Sequence, residues 1–220
     1  MDSRKRSLSE NNAGGKIVRR RPPRFDLIAG NVCLDFVNTL DDRYIKPKEL
    51  LESYVDLARF AEDTGILNSR QVDRLYERSA ADPERAEQTL IWGRELREAI
   101  HDVFFAIMNK RAVPPAALAR LNVDVQAAAG HMQLVPVKGG FEWKFDDLND
   151  LDSVLWPIAR AAADLLASDQ LPYVRACFSK TCEWFFLDTS KNHHRRWCDM
   201  TRCGNRAKVR SFYARQKKGG

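Results

Sequence analysis

The chain has 220 residues, 44% of them hydrophobic, enough to bury one ordinary domain and a small second module. No run approaches the ~18 apolar residues of a membrane span, and the start (Arg4, Lys5 and Arg6, then Ser and Asn) lacks the apolar segment of a secretory signal, so a cytoplasmic protein with reduced thiols is expected. The net charge of +6 is unevenly placed: residues 1–24 carry +6, residues 173–220 carry +9, and the middle carries −9, an acidic body with two ends suited to a polyanion.

Residues 1–24 read as a disordered basic leader, rich in Ser, Asn, Gly and Arg and closed by Pro22-Pro23. Residues 25–28 suggest a short strand broken at Gly30, and the apolar run 32–40, which contains Cys33, suggests a buried helix. Pro47 is expected to open a helix to about Asp63, stopped by Gly65. Asn68 or Ser69 caps the next helix, and Asp82-Pro83 starts a long one with Leu90, Leu96, Ile100 and Phe104 at helical spacing. Pro114-Pro115 precedes a helix over 116–129. Two alternating runs, 134–138 and 141–145, flank Gly139-Gly140 as a hairpin with a tight turn, and Pro136 belongs on an edge. A helix to about 167 follows Asp150 or Asp152. The fold class is α+β, mostly α: a helical body over 25–171 with a small hairpin, then a small module over 172–218.

That module holds four of the five cysteines, as Cys177-x4-Cys182, fifteen residues, then Cys198-x4-Cys203. Two short pairs delivered from two elements suit a tetrahedral Zn²⁺. Residues 184–187 read as a strand leaving the first pair and 196–198 as the returning strand. Cys203 opens a helix, where the dipole favours a thiolate. His193 and His194 are competing ligands, placed mid-loop and better suited to solvent or phosphate. Four thiolates leave no open coordination position, so one Zn²⁺ per chain would be structural, and recognition falls to the surface it organises. Cys33, far away in its apolar run, reads as a small buried hydrophobe.

The candidate nucleic-acid contacts are Arg195 and Arg196 before the third cysteine, and Arg202, Asn205, Arg206, Lys208, Arg210, Arg215 and Lys217 on the last helix. Arg202, Arg206, Arg210, Tyr213 and Lys217 share a stripe about 80° wide, while Cys203, Ala207 and Ala214 are expected to face the ribbon. Such a helix fits a duplex major groove. Asp35 and Asn38, polar within an apolar run, mark a structural or effector-binding site in the body. No phosphate-cradling loop or nucleophile elbow is present, so no enzyme is expected.

Residues 195–208, Arg-Arg-Trp-Cys-Asp-Met-Thr-Arg-Cys-Gly-Asn-Arg-Ala-Lys, closely resemble the signature of the CGNR zinc finger, with Cys177 to Ser190 matching its first knuckle and Asp-x-Ser turn. Residues 30–39, and more weakly the helix around Leu96-Arg97-Glu98-Ala99, resemble the ABATE domain of bacterial stress-induced transcription regulators. The resemblance implies a zinc-dependent DNA-binding regulator, with a body that senses a signal or mediates association. Double-stranded DNA, a small-molecule effector and a second copy are then the expected partners, and no membrane. RNA binding by the same basic module, or protein contacts through it, are the alternatives.

Overall fold

The computed structural model describes residues 25–216 except Asp147 and Lys180. The leader expected over 1–24 lies outside the described residues. The body begins with α1 (Val32–Val37), whose first turn is closed by the Asn31 side chain accepting from the Cys33 N–H. Two-residue strands β1 (Leu40–Asp41) and β2 (Lys48–Glu49) pair antiparallel. Helices α2 (Tyr54–Asp63), α3 (Ser69–Ala81), α4 (Pro83–Met108) and α5 (Pro115–Gly130) follow, then the hairpin β3 (Met132–Val137) and β4 (Gly140–Phe145). A 3₁₀ turn over Leu151–Leu155 runs into α6 (Trp156–Leu166). The last segment holds β5 (Val174–Ala176), β6 (Phe185–Leu187), a π-type turn (Met200–Gly204) and α7 (Asn205–Gln216). Mostly helical, with three small antiparallel strand pairs among the described residues, the fold is of the α+β class. No helix among the described residues is long and apolar enough to cross a membrane.

Local chemistry explains where the elements depart from their predicted bounds. Residues 25–28 form no strand, and α1 stops at Val37, after which the Thr39 N–H turns back to the Phe36 carbonyl and Leu40 enters β1. Pro47 opens no helix: residues 48–51 bond instead to β1, to Thr39 and to Glu49 and Arg94. Helix α2 starts only where Asp56 can accept from the N–H groups of Glu52 and Ser53 (3.1 and 2.9 Å) and from the Ser53 hydroxyl (3.0 Å). The Asn68 cap, the Asp82-Pro83 start of α4 and the Gly65 stop stand as read. The hairpin turn is Lys138-Gly139, not Gly139-Gly140: Val137 pairs with Gly140, and Gly139 takes the positive φ of +95°. Residues 196–198 form no strand. The partner of β6 is β5, upstream of the first cysteine pair.

One hydrophobic core runs through body and module alike, joining Phe36, Phe60, Leu90, Phe104 and Ile158 to Phe185, Phe186 and Leu187. The seam is polar at four points. The Asn38 side-chain amide donates to the Phe185 carbonyl and accepts from the Phe185 N–H, both at 2.9 Å. The Leu187 N–H donates to the Ala29 carbonyl at 2.7 Å. Asp35 accepts the Ala29 N–H at 2.9 Å, and burial pushes its carboxyl up to about 6. The Trp184 indole N–H donates to Asp41 at 2.8 Å.

Beneath β1 and β2 lies a buried cation. Arg97, only 3% exposed, donates bidentately to Glu49 at 2.6 and 2.7 Å and through Nε to Glu98 at 3.0 Å. His101, one turn on, stacks between Phe105 and Phe185 (centroids 5.6 and 5.1 Å). Asp102 accepts from its Nδ1, which leaves Nε2 of the neutral ring to accept the Tyr44 hydroxyl at 2.9 Å. Burial and then the Arg43 charge lower its pKa, outweighing Asp102.

Two predictions follow from the seam. Asn38→Ala strands a buried N–H and a buried carbonyl and should cost about 2–4 kcal/mol in urea unfolding of the full chain. His101 carries its stabilising neutral form above its unfolded pKa of about 6.5 and loses that contribution as pH falls toward the lowered folded value. The urea midpoint should therefore drop more between about pH 8 and pH 5 in the wild type than in His101→Phe, which keeps the stack without the titration.

Candidate functional site

The four sulfurs of Cys177, Cys182, Cys198 and Cys203 all lie within 4.8 Å of one another. Each comes from a different local structure. Cys177 follows β5, with its N–H donating to the Trp184 carbonyl at 2.8 Å, and Cys182 closes a turn onto the Ser179 carbonyl at 2.9 Å. Cys198 sits in the irregular return, and Cys203 is in the π-type turn that leads into α7. Sulfur separations of 3.5 Å (Cys182 to Cys198) and 3.7 Å (Cys198 to Cys203) match the roughly 3.8 Å edge of a tetrahedron with Zn–S bonds of about 2.3 Å. They far exceed a disulfide's ~2.05 Å, and none of the five cysteines is in a disulfide.

Sulfurs packed this closely work against one another. Cys177 pushes the Cys182 thiol up, and Cys177 and Cys182 together push Cys198 up, whereas donors from Cys182 and Cys198 pull Cys177 down. A divalent cation relieves that conflict by stabilising all four as thiolates. The donor set fits one structural Zn²⁺.

The loop between the cysteine pairs is ordered by Asp188, which is 1% exposed. Its carboxylate accepts from the Ser190 N–H and hydroxyl (3.0 and 2.6 Å) and from the Arg195 N–H (2.8 Å). Burial pushes this carboxyl up, but those donors outweigh it and the net shift is downward. Arg195 then turns inward. Its Nε donates to the Trp197 carbonyl at 2.8 Å, its Nη2 bonds the Cys198 carbonyl, and its guanidinium lies over the Phe186 ring at 4.7 Å. Arg195, one of the candidate nucleic-acid contacts, thus clamps the segment that carries the third cysteine. His193, read as better suited to solvent or phosphate than to the metal, stacks on Tyr173 at 3.8 Å and donates from Nδ1 to the Asp188 carbonyl at 2.8 Å. It is not among the metal-capable residues.

Helix α7 leaves the metal site with nearly every described side chain exposed. A cleft of about 830 Å³ separates it from the body, with Arg202, Arg206 and Arg210 on one wall and Asp26, Asp41 and Asp42 opposite. Arg202 pairs with Asp26. Arg206 donates to the Cys203 sulfur at 3.1 Å and Arg210 to the Thr181 hydroxyl at 3.2 Å. The arginine stripe therefore lines the cleft. Arg196 is exposed beside the rings of Phe178 (4.3 Å) and Trp197 (5.6 Å). Asn205 donates to the Thr201 carbonyl at 3.0 Å, Lys208 is exposed, and Lys217 and the side chains of Ala214 and Arg215 lie outside the described residues.

Of the module's aromatics, Phe185 and Phe186 are buried in the core shared with the body, and Trp184 and Trp197 are half-buried against it. Phe178, Phe212 and Tyr213 are exposed, Tyr213 on the last helix as its place in the basic stripe implied. Asp35 and Asn38 both engage backbone at the seam and lie outside the cleft. Zinc-loaded protein should show one zinc per chain by intact mass under non-denaturing conditions. Cys198→Ser should abolish it and leave residues 177–204 open to protease, because metal binding supplies folding energy for so small a segment.

Two family models match the chain. Residues 30–169 match ABATE, described as "Putative stress-induced transcription regulator". Residues 173–216 match the CGNR zinc finger. No curated protein matches the chain. The first match alone covers more than half of the sequence, so the chain belongs to the ABATE family and ends in a CGNR zinc finger.

Proposed function

We propose that this protein regulates transcription by binding duplex DNA through α7, with its zinc site fixing the helix against the body. One observation carries the reading: a solvent-exposed helix, anchored at Cys203, lies in a stretch from Thr201 onward with seven Lys or Arg and no acid. Cations on a rigid helix release counterions from phosphate, and the helix diameter suits the major groove. Lys208, Arg210, Arg215 and Lys217, with Arg196 from the loop, supply phosphate contacts, and Asn205 and Arg206 lie nearest the helix start, where base edges are reached. Arg202 joins them once it parts from Asp26. The family assignments support a regulatory zinc-binding protein. The body, in this reading, senses a signal or mediates association.

The exposed Phe178, Phe212 and Tyr213 favour a second reading, in which a single strand of RNA or DNA stacks on these rings. Selection from a random duplex pool with zinc-loaded protein separates the two. Enrichment of a duplex motif is expected, with Lys208→Ala and Arg210→Ala each weakening binding several-fold and flattening its salt dependence by about one counterion. No enrichment, together with tighter binding to single-stranded competitor, would contradict the duplex reading.

A further inference from the structure

The hairpin of β3 and β4 stands off the body. Its base is held by Phe145 against Trp156 (6.2 Å) and by Arg160 at the Met132 sulfur (3.0 Å). Beyond that base, Leu134 and Pro136 face Trp143 and Phe141 across the strands on the same side as Met132 and Phe145. Phe141 is 68% and Trp143 59% exposed. Among the described residues no third strand pairs with either edge. Proteins usually blunt such an edge with charge or proline. Pro136 does so for β3, whereas β4 carries Phe141, Trp143 and Phe145 along its edge, and its two charges, Glu142 and Lys144, are of opposite sign and neutralise each other.

The parity of the ladder shows what that edge offers. The Asp146 N–H donates to the His131 carbonyl at 2.9 Å, so the pairs in step with it, such as Gln133 with Lys144 and Val135 with Glu142, exchange hydrogen bonds inside the hairpin. The backbone N–H and C=O of Phe141, Trp143 and Phe145 therefore point outward. An antiparallel strand can take up all three. The side chains between them, Glu142 and Lys144, carry opposite charge at positions two apart, and at present they pair with each other at 2.5 Å.

We propose that β4 is a dimerisation edge and that its partner is β4 of a second copy, related by a two-fold axis through Trp143. This register is self-complementary. Trp143 meets its own copy and Phe141 meets Phe145 of the second copy, three pairs that exchange two hydrogen bonds each. Glu142 then lies directly opposite Lys144 of the second copy, and Lys144 opposite Glu142 of the second copy, on the other face. The four strands form one sheet. On its apolar face the exposed Phe141 of one copy is brought beside the Phe145–Trp156 contact of the other. A one-residue slip would set like against unlike and lose both charge pairs. The inference is independent of what α7 binds, although a two-fold dimer would present two such helices to a duplex.

Charge reversal tests this on the full zinc-loaded chain without nucleic acid, by sedimentation over about a hundredfold range of concentration. The wild type should show a monomer–dimer equilibrium. Glu142→Lys and Lys144→Glu, each placing like charges opposite in two pairs, should each weaken dimerisation about tenfold. An equimolar mixture of the two variants should recover wild-type association, because every facing pair is again opposite in sign. That recovery cannot come from a folding defect. A wild type that stays monomeric, single variants that dimerise as well as the wild type, or a mixture that stays as weak as its components would each overturn the proposal.

Discussion

The Asn38 side chain satisfies both backbone groups of Phe185, and through that one amide the zinc module becomes part of the body. An asparagine presents a donor and an acceptor with the spacing of a peptide, so it can act as one residue of a strand beside β6. The neighbouring interactions depend on it. Asp35 holds the Ala29 N–H, and the Ala29 carbonyl in turn receives the Leu187 N–H, so the loop before α1 continues along the same edge of β6 as Asn38, opposite β5. Phe185 and Phe186 then sit in the common core, with His101 stacked over Phe185. A module of about 45 residues could not bury enough surface to stand alone. Its stability comes from the metal on one side and the body on the other.

That arrangement divides the electrostatics. Four thiolates on Zn²⁺ carry a net charge of −2, and Arg206 donates to one of them, so part of the helix charge offsets the metal site. The acidic body faces the same helix across the cleft through Asp26, Asp41 and Asp42. A polyanion that engages the stripe must compete with those carboxylates, whereas Lys208 lies on another face of α7. The body thereby bears directly on how the basic helix is presented.

Much of this was legible in the sequence because its signals are local. Spacing alone marked the four ligands, the caps at Asn68 and Asp82 and the hairpin. What could not be read depends on partners distant in the chain. Pro47 looks like a helix start until residues 48–51 are seen bonded to β1 and Arg94. The contacts of Arg195 with the carbonyls of Trp197 and Cys198 leave no trace in its spacing. Arg97 carried a usable signal: it lies three residues before Ile100 and seven before Phe104, on the helix face that is buried. A charge at a core position implies a buried partner, here Glu49. Asn38 and Asp35 were visible as polar residues in an apolar run, but their targets, at Phe185 and Ala29, were not.

The module is seated in the body's core, and zinc is expected to order it. Amide hydrogen exchange on the zinc-loaded full chain addresses this directly. The Phe185 and Leu187 amides, bonded to Asn38 and Ala29, should exchange as slowly as core amides of α4, and chelation should speed them before it affects α4. Exchange of those two amides at the rate of a free peptide with zinc bound would contradict the account.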